Sequence, residues 1–361
     1  MRSVGLASFL ILGIVFTSCQ GVNLDHTLVY LVNRSPDEVL VVDVDLEQVQ
    51  RRFMAGEGLS DIHLYPEQGL GYVTNQHGGT IVIVDLAKGS VKRELQTPGF
   101  PLNLAIGPGG KEVFSTIAHP DTMEALGVSV FDVETGERTG YIELGNTVHM
   151  LRSSPDRHLI YALRANSAKV YIIDAQTKEV LRVRQLSHSP SDLAVSPDGK
   201  WFAVTLTQAD TVQIYDAMGE TLAHSVPVTD APQNVTFSED SSLVMAADMR
   251  TRFVHVIDTL TGETRGKIRF DMAPTHLSFA EGLILVSVDA PFLFGADPLT
   301  LEVTKRIPLN SLPVDFEALP RGAIIPDSGR SVGPGVLVAF GVIAFLFFRN
   351  RGKKKEKETS G

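Results

Sequence analysis

A short strand that ends in aspartate recurs along most of the chain and restricts the fold more than any other feature. Apolar or β-branched runs such as VLVVD, IVIVD and VYIID close on an Asp at intervals of 39 to 47 residues. These residues are Asp43, Asp85, Asp132, Asp174, Asp216, Asp258 and Asp297. Self-similarity at this period is typical of repeat architectures in which each unit is one small sheet. The chain is therefore predicted to be all-β.

The best-preserved unit, Ser189–Gly219, shows what one repeat contains. It reads as a Pro-led apolar strand, a Pro-Asp-Gly turn, a second strand, a polar loop and a third strand that ends at Asp216. An Asp at the first position of a tight turn accepts hydrogen bonds from backbone N–H groups a few residues further on. We therefore interpret the repeated Asp residues as turn residues rather than catalytic ones.

The second strand of the repeat carries a recognisable signature. It is written YVTN at Tyr72–Asn75, and related strands are YLVN ending at Asn33, YALR ending at Arg164 and AVTL ending at Leu206. On these strands and turns the chain resembles the YVTN family of β-propeller repeat proteins, which are extracytoplasmic and of the surface-layer type. The resemblance covers about Leu28 to Pro320. It implies the propeller fold and is only weakly informative about function.

The order of the strands predicts how the propeller closes. The chain enters on a second strand, Leu28–Val32, with no innermost strand before it. The missing innermost strand comes last, as Pro313–Leu319. Pairing these two strands would complete a seven-bladed β-propeller without an open edge in the ring. The predicted propeller spans residues 26–320, and a linker covers 321–331.

The N-terminal end carries a targeting signal. Residues 1–18 combine an early Arg, a short apolar run and small residues, which predicts a secretory signal peptide. The stretch from Phe16 to Cys19 resembles a bacterial lipobox, although Phe replaces the usual Leu. Cys19 is therefore a candidate lipidation site and the candidate mature N-terminus, as in a bacterial lipoprotein. A plain signal peptide is the alternative.

The C-terminal end carries an uncharged apolar run, residues 332–348, followed by a basic tail, residues 349–361. At helical rise the run is about 25 Å long, which is at the short limit for spanning a bilayer. We predict a transmembrane helix with the tail in the cytoplasm, and a processed sorting tail is the alternative. The two ends together predict a propeller on the extracytoplasmic side, periplasmic or outer, of a cell membrane that is itself a partner.

The charge balance excludes one class of partner. The chain has 32 Lys and Arg residues against 42 Asp and Glu residues, a net charge of −10, and part of its basic charge lies in the tail. An acidic body repels a phosphate backbone. Nucleic acid is therefore not expected as a partner.

Polar side chains recur at one position of the innermost strands, two residues after the leading Pro or its equivalent. Because innermost strands begin at the same end of the channel, these side chains are expected to surround its mouth. They are Asp61, Asn103, Met150, Asp192, Asn234, His276 and Asp315. The six polar members are candidates for binding a small polar ligand, and the three Asp residues with the His also fit a divalent cation on the axis. A hydrated ring with no specific ligand is the alternative.

The third blade carries an insertion, Ile117–Gly127. Long loops on a rigid scaffold commonly carry recognition. Its candidate partner-contact residues are His119, Asp121, Met123 and Glu124. Loops between second and third strands lie on the same face as the channel mouth, so a protein partner is predicted there. A tolerated surface insertion is the alternative.

Three classes of function fit this organisation. The first is a binding or scaffold module of the bacterial cell envelope. The second is a propeller enzyme, such as a lactonase-like hydrolase that uses Asp192, Asp315 and His276 as acid and base groups. The third is a metal-linked or electron-transfer accessory protein, although the sequence has no HExxH or CxxC spacing. Trp201 is the single Trp, which disfavours the Trp-rich quinone-cofactor propellers. With no catalytic motif, we predict a binding module without a resident cofactor.

Overall fold

The computed structural model of the protein describes residues 22–33, 36–145, 147–164 and 167–326. The predicted signal peptide, the candidate lipidation site Cys19, residues 327–331 of the linker and the basic tail lie outside the described residues. These assignments stay predictions.

Strands make up almost all of the regular structure. The first fifteen in chain order are β1 (Val22–Asn23), β2 (Leu28–Asn33), β3 (Glu38–Asp43), β4 (Gln48–Met54), β5 (Leu59–Tyr65), β6 (Leu70–Asn75), β7 (Thr80–Asp85), β8 (Ser90–Gln96), β9 (Phe100–Ile106), β10 (Glu112–Ala118), β11 (Gly127–Asp132), β12 (Arg138–Glu143), β13 (Val148–Ser153), β14 (Leu159–Arg164) and β15 (Lys169–Asp174). The next fifteen are β16 (Val180–Gln185), β17 (Asp192–Val195), β18 (Trp201–Leu206), β19 (Thr211–Asp216), β20 (Leu222–Pro227), β21 (Pro232–Phe237), β22 (Leu243–Asp248), β23 (Phe253–Asp258), β24 (Thr264–Arg269), β25 (Pro274–Ala280), β26 (Leu283–Val288), β27 (Ala290–Asp297), β28 (Glu302–Pro308), β29 (Pro313–Leu319) and β30 (Ile324–Ile325). Short 3-10 helices lie at Pro66–Gln68, Pro108–Gly110 and Thr207–Ala209.

The strands form seven four-stranded antiparallel blades within the described part of the chain. Six blades use consecutive strands, from β5–β8 in blade 2 to β25–β28 in blade 7. Blade 1 has the order β29-β2-β3-β4, so its innermost strand comes from near the end of the chain. The register places Val32 opposite Asp315 and Leu28 opposite Leu319. This is the closure predicted from Pro313–Leu319.

Apolar side chains pack between neighbouring blades rather than on the axis. Each of the seven blade interfaces has its own buried cluster. Between blades 7 and 1, for example, Leu285 and Ile307 pack with Leu31 and Val42. Middle strands such as β3 are buried along their whole length, whereas outer strands such as β4 are largely exposed. The core is therefore a ring of seven apolar layers around a polar channel.

The seven repeated Asp residues end the third strand of each blade, as predicted. In blade 4 the Asp174 carboxylate accepts the backbone N–H groups of Gln176 at 2.8 Å and Thr177 at 2.7 Å. Asp258 and Asp297 make the same two bonds in blades 6 and 7. The interpretation as turn residues is confirmed.

A second contact joins the two ends of the described chain. Outside the ring of blades, β1 pairs with β30, and Val22 lies opposite Ile325. The Leu24 N–H donates to the Ala323 carbonyl at 3.0 Å, and Ile325 is buried. The sequence did not predict this pairing. It joins the two ends of the described chain beside blade 1, in addition to the pairing of β2 with β29.

The prediction that the fold includes a transmembrane helix is wrong. Among the described residues no helix is long and apolar enough to cross a membrane. The helices found there are single 3-10 turns of three residues, about 6 Å long, and the predicted span, 332–348, lies outside the described residues. The fold class is corrected to an all-β seven-bladed propeller whose described residues include no transmembrane helix. The membrane, predicted as a partner from that helix, is withdrawn.

Candidate functional site

The innermost strands surround a channel along the propeller axis. We call the end where these strands begin the mouth face; the loops between second and third strands lie on it as well. Two cavities follow one another along the channel. The mouth chamber, of about 360 Å³, is lined by the beginnings of the strands. The lower chamber, of about 320 Å³, is lined by residues further along them.

All seven residues of the predicted ring line the mouth chamber. They are Asp61, Asn103, Met150, Asp192, Asn234, His276 and Asp315. Hydroxyl groups of Ser60, Ser191 and Thr275 and the thioether of Met249 lie beside them. The chamber is therefore polar, with two Met side chains as its apolar part.

Four of the ring side chains connect neighbouring blades. Each accepts a hydrogen bond from a backbone N–H of the next innermost strand: Asp61 from Leu104 (2.8 Å), Asp192 from Val235 (2.9 Å), Asn234 from Leu277 (2.7 Å) and Asp315 from Ile62 (3.1 Å). Innermost strands have no further strand on their channel side, so these N–H groups would otherwise lack a partner. These ring side chains therefore stabilise the propeller as well as line the channel.

A guanidinium group that the sequence did not predict lies in the channel. Arg152 follows the ring residue Met150 by two positions on β13 and lines both chambers. Its Nη2 lies 3.8 Å from Asp192 Oδ1, and its Nη1 donates to the Leu151 carbonyl at 2.9 Å. Burial alone would lower the pKa of Arg152, but the carboxylates of Asp192 and Asp61 raise it. The channel therefore contains a permanent positive charge supplied by the chain itself.

Asp61 and Asp315 form a hydrogen-bonded carboxyl pair where blades 1 and 2 meet. Burial and the neighbouring Asp61 carboxylate raise the pKa of Asp315 to about 8. Burial would also raise the pKa of Asp61, but the charges of His63 and Arg152 outweigh it and hold that pKa well below its usual range. Two adjacent buried carboxyl groups cannot both ionise easily, so near neutral pH the pair shares one proton.

Two further titratable side chains line the lower chamber. His63 Nε2 lies 3.5 Å from Asp61 Oδ2, and His63 Nδ1 lies 3.8 Å from Glu317 Oε2. Burial opposes the charged imidazole, but the Asp61 carboxylate outweighs it and raises the pKa of His63. Glu317 accepts the Leu64 N–H at 2.6 Å, and its enclosure in the channel raises its pKa. Like Arg152, both lie two residues after a ring residue, so the alternation of a β-strand could have indicated them.

Two buried polar atoms beside the mouth chamber have no hydrogen-bond partner among the described residues. They are Oδ1 of Asn103 and Nδ1 of His276. Asn103 Nδ2 donates to the Leu102 carbonyl at 2.9 Å, which identifies Oδ1 as the free acceptor. Burial and then the charge of Arg152 lower the pKa of His276 to about 4, so its imidazole is neutral at physiological pH. A buried polar atom without a partner costs about 1–3 kcal/mol, so each of these atoms favours a bound molecule that completes its hydrogen bonding.

The geometry disfavours metal binding and acid–base catalysis at the ring. No group of three His, Cys, Asp or Glu side chains in the described ranges could hold a metal ion. The Arg152 guanidinium already supplies the positive charge that an axial divalent cation would bring. For a lactonase-like site, no hydrogen bond in the described part of the chain joins His276 to Asp192 or Asp315. Within the described residues these three side chains are therefore not joined in a hydrogen-bonded acid–base relay.

The blade-3 insertion lies on the mouth face. It follows β10, whose last residue, Ala118, pairs with Phe100 at the beginning of β9. The predicted contact residues are all exposed, and they are His119, Asp121, Met123 and Glu124. The His119 N–H donates to the Glu124 carbonyl at 2.9 Å, and the Met123 N–H donates to the His119 carbonyl at 2.8 Å. The loop is therefore a closed, hydrogen-bonded projection, and 52% of the Met123 surface is exposed at its tip.

Seven four-stranded blades around a polar channel define a β-propeller. Residues 121–261 match the family model of YNCE-like β-propellers. The curated proteins that the chain resembles include the uncharacterized protein YncE of Salmonella typhi and that of Salmonella typhimurium strain LT2. Each is 29% identical over 104 residues, and each alignment covers 29% of this chain and 29% of the relative. These findings support a propeller of YncE-like type, and they do not confirm the surface-layer or lipoprotein character implied by the YVTN resemblance.

A solved structure extends the similarity in fold. Dihydro-heme d1 dehydrogenase NirN in complex with DHE superposes with a TM-score of 0.64 at 16% sequence identity. The superposition covers 80% of this chain and 64% of NirN, so the chain spans less than two thirds of that protein. At this identity the likeness shows the propeller fold alone.

Proposed function

We propose that the protein is a binding module that acts through its mouth face. The observation that carries the proposal is the mouth chamber, in which the buried atoms Asn103 Oδ1 and His276 Nδ1 find no partner among the described residues and lie beside the Arg152 guanidinium. Small-molecule sites are concave, largely pre-formed and carry a few convergent polar groups. A volume of about 360 Å³ is at the small end of such sites. The ring and the chamber together would therefore hold a small polar ligand.

The same face offers a surface for a protein partner. The blade-3 insertion projects Met123 and the charged side chains of Asp121 and Glu124 from a loop held by backbone hydrogen bonds. An ordered loop loses little conformational entropy on binding, which favours recognition. A protein docked on this loop would also lie beside the mouth of the chamber. The module would work outside the cytoplasm if residues 1–18 act as the signal peptide that the sequence predicts.

Photocrosslinking tests whether the mouth face is the binding face. A photoreactive amino acid is placed at Met123 on the insertion, or at Leu260, which is 73% exposed in the turn between β23 and β24 on the opposite face. In cells that express the full chain, we expect one defined adduct from the Met123 position and none from the Leu260 position. The proposal fails if the Met123 position gives no adduct, or if both positions capture the same proteins equally.

A further inference from the structure

We propose that the mouth chamber selects a small zwitterion, a molecule of the α-amino acid class with one carboxylate and one ammonium group. The inference rests on the proposed function, because it assumes that the mouth chamber is a binding site. It follows from the presence of both charge signs in one chamber, together with polar atoms that have no partner in the described part of the protein.

Arg152 provides the recognition of a carboxylate. A guanidinium group has five N–H donors, and the hydrogen bond that Arg152 makes within the described residues goes to the Leu151 carbonyl. The nearest carboxylate oxygen, on Asp192, is 3.8 Å from Nη2, which is beyond hydrogen-bond distance. The side chain is 24% exposed, so its remaining donors face the channel. A planar carboxylate matches such a fork with two parallel hydrogen bonds.

Asn103 and two ring carboxylates provide the recognition of an ammonium group. Asn103 Oδ1 is a buried acceptor that needs a donor. Asp61 and Asp192, which are 3% and 2% exposed, give the same chamber a negative potential. An ammonium group has three donors and no acceptor, so it satisfies this acceptor and is attracted by both carboxylates.

The charge balance disfavours ligands with a single charge. A simple anion that approached Arg152 would also meet Asp61 and Asp192, and a simple cation near those carboxylates would meet Arg152. Like charges brought together in a poorly hydrated site cost free energy and exclude the wrong ligand. A zwitterion pairs with both signs at once. Met150 and Met249 add adaptable thioether contacts for a small apolar side chain.

Isothermal titration calorimetry on the full chain tests the inference with three probes that share one branched alkyl group. L-Valine carries both charges, isovalerate lacks the ammonium group, and isobutylamine lacks the carboxylate. We expect L-valine to bind at least tenfold more tightly than either singly charged probe. The inference is overturned if none of the three probes binds at millimolar concentration, or if one singly charged probe binds as tightly as L-valine.

Two variants and a control assign the two recognition elements. Arg152→Gln should weaken L-valine binding at least tenfold and leave isobutylamine binding no weaker than before. Asn103→Ala should also weaken L-valine binding. Its side chain makes no bond to a neighbouring blade among the described residues, so this variant should fold even if Arg152→Gln does not. Arg138→Gln, on the exposed outer strand β12, is the matched control and should leave L-valine binding unchanged.

Unchanged L-valine binding in folded Arg152→Gln or Asn103→Ala overturns the inference. If no probe binds while the Met123 photocrosslink still identifies a partner, the inference fails and the proposed function stands.

Discussion

At the scale of single residues, the ring side chains join the blades and also set the charge of the channel. Asp192 shows both roles. Its Oδ2 accepts the Val235 N–H at 2.9 Å and the Asn234 side-chain amide at 2.6 Å, and its Oδ1 faces Arg152. Burial raises the pKa of Asp192 and the charge of Arg152 opposes that rise. Removing this carboxylate would therefore leave the Val235 N–H without its acceptor and the Arg152 guanidinium without its nearest carboxylate.

The first prediction concerns the stability of Asp192→Ala. We expect its free energy of unfolding to fall by about 2–4 kcal/mol, because a buried backbone N–H loses its acceptor and the Arg152 guanidinium loses the carboxylate nearest to it. Urea denaturation followed by circular dichroism measures the change. Asn103→Ala, at the same ring position but with no side-chain bond to the next blade in the described residues, should lose less than about 1 kcal/mol. Equal losses in the two variants would show that the ring does not hold the blades together.

The second prediction concerns pH. Asp315 has a pKa of about 8 in the folded protein and near 4 when unfolded. The stability from its protonated form is therefore complete below about pH 4 and is lost as the pH rises towards about 8. The pKa of Asp61 is lowered, so its own contribution to stability changes with pH only below that range. Asp315→Asn keeps a neutral group, so its melting temperature relative to the parent protein should rise between about pH 5 and pH 8. A difference that stays constant with pH would contradict the shared proton.

The ring could be predicted at this scale. The channel side chains two residues further along each innermost strand could not be predicted from the repeat. Ring residues follow a Pro or its equivalent in most blades, and six of the seven are polar. The positions two residues later have no common chemistry: they are His63, Ala105, Arg152, Ala194, Thr236, Ser278 and Glu317. Because Arg152 has no equivalent in the other blades, the repeat gives no signal for it. The alternation of the β-strand indicates that Arg152 faces the channel, but the register of the folded ring is needed to show that its guanidinium lies near Asp61 and Asp192.

At the scale of elements, the second strands carry a recurring tether between blades. Tyr30 on β2 donates its hydroxyl to the Leu86 carbonyl at 2.8 Å, and Tyr161 on β14 donates to the Ala217 carbonyl at 2.9 Å. Burial raises the pKa of Tyr30 to about 12. Tyr72 occupies the equivalent place on β6, but its buried hydroxyl has no partner in the described part of the protein.

The third prediction compares two of these tyrosines. Tyr30→Phe should lower the free energy of unfolding by about 0.5–1.5 kcal/mol, because it removes a buried hydrogen bond. Tyr72→Phe should leave stability unchanged or raise it, because it removes a buried hydroxyl without a partner. Chemical denaturation of both variants provides the comparison, since each loses one oxygen from the same place in a blade. The tether has no energetic role if Tyr30→Phe is as stable as Tyr72→Phe.

Ring closure was predictable at this scale because the chain begins on a second strand, with no innermost strand before it, and ends on an extra strand of the innermost type, Pro313–Leu319. The pairing of β1 with β30 was not predictable, since each strand has two residues and carries no periodic pattern. The transmembrane prediction rested on an apolar run and its basic flank, and it concerned residues beyond the described fold.

At the scale of the whole molecule, the two faces of the propeller differ in what they offer a partner. The mouth face has the mouth chamber and the blade-3 insertion. The opposite face has short turns in which the repeated Asp residues already bind backbone N–H groups. Seven interblade clusters make the ring a stiff support for the mouth face. We therefore propose that recognition takes place on the mouth face.

Hydrogen–deuterium exchange of the complex purified from native cells tests this assignment most directly. Exchange in the full chain is compared with and without its bound partner, peptide by peptide, by mass spectrometry. We expect protection at the insertion, residues 119–126, and at the beginnings of the innermost strands, such as 100–104 and 148–152. Protection confined to the turns of the opposite face, such as 259–262, would contradict it.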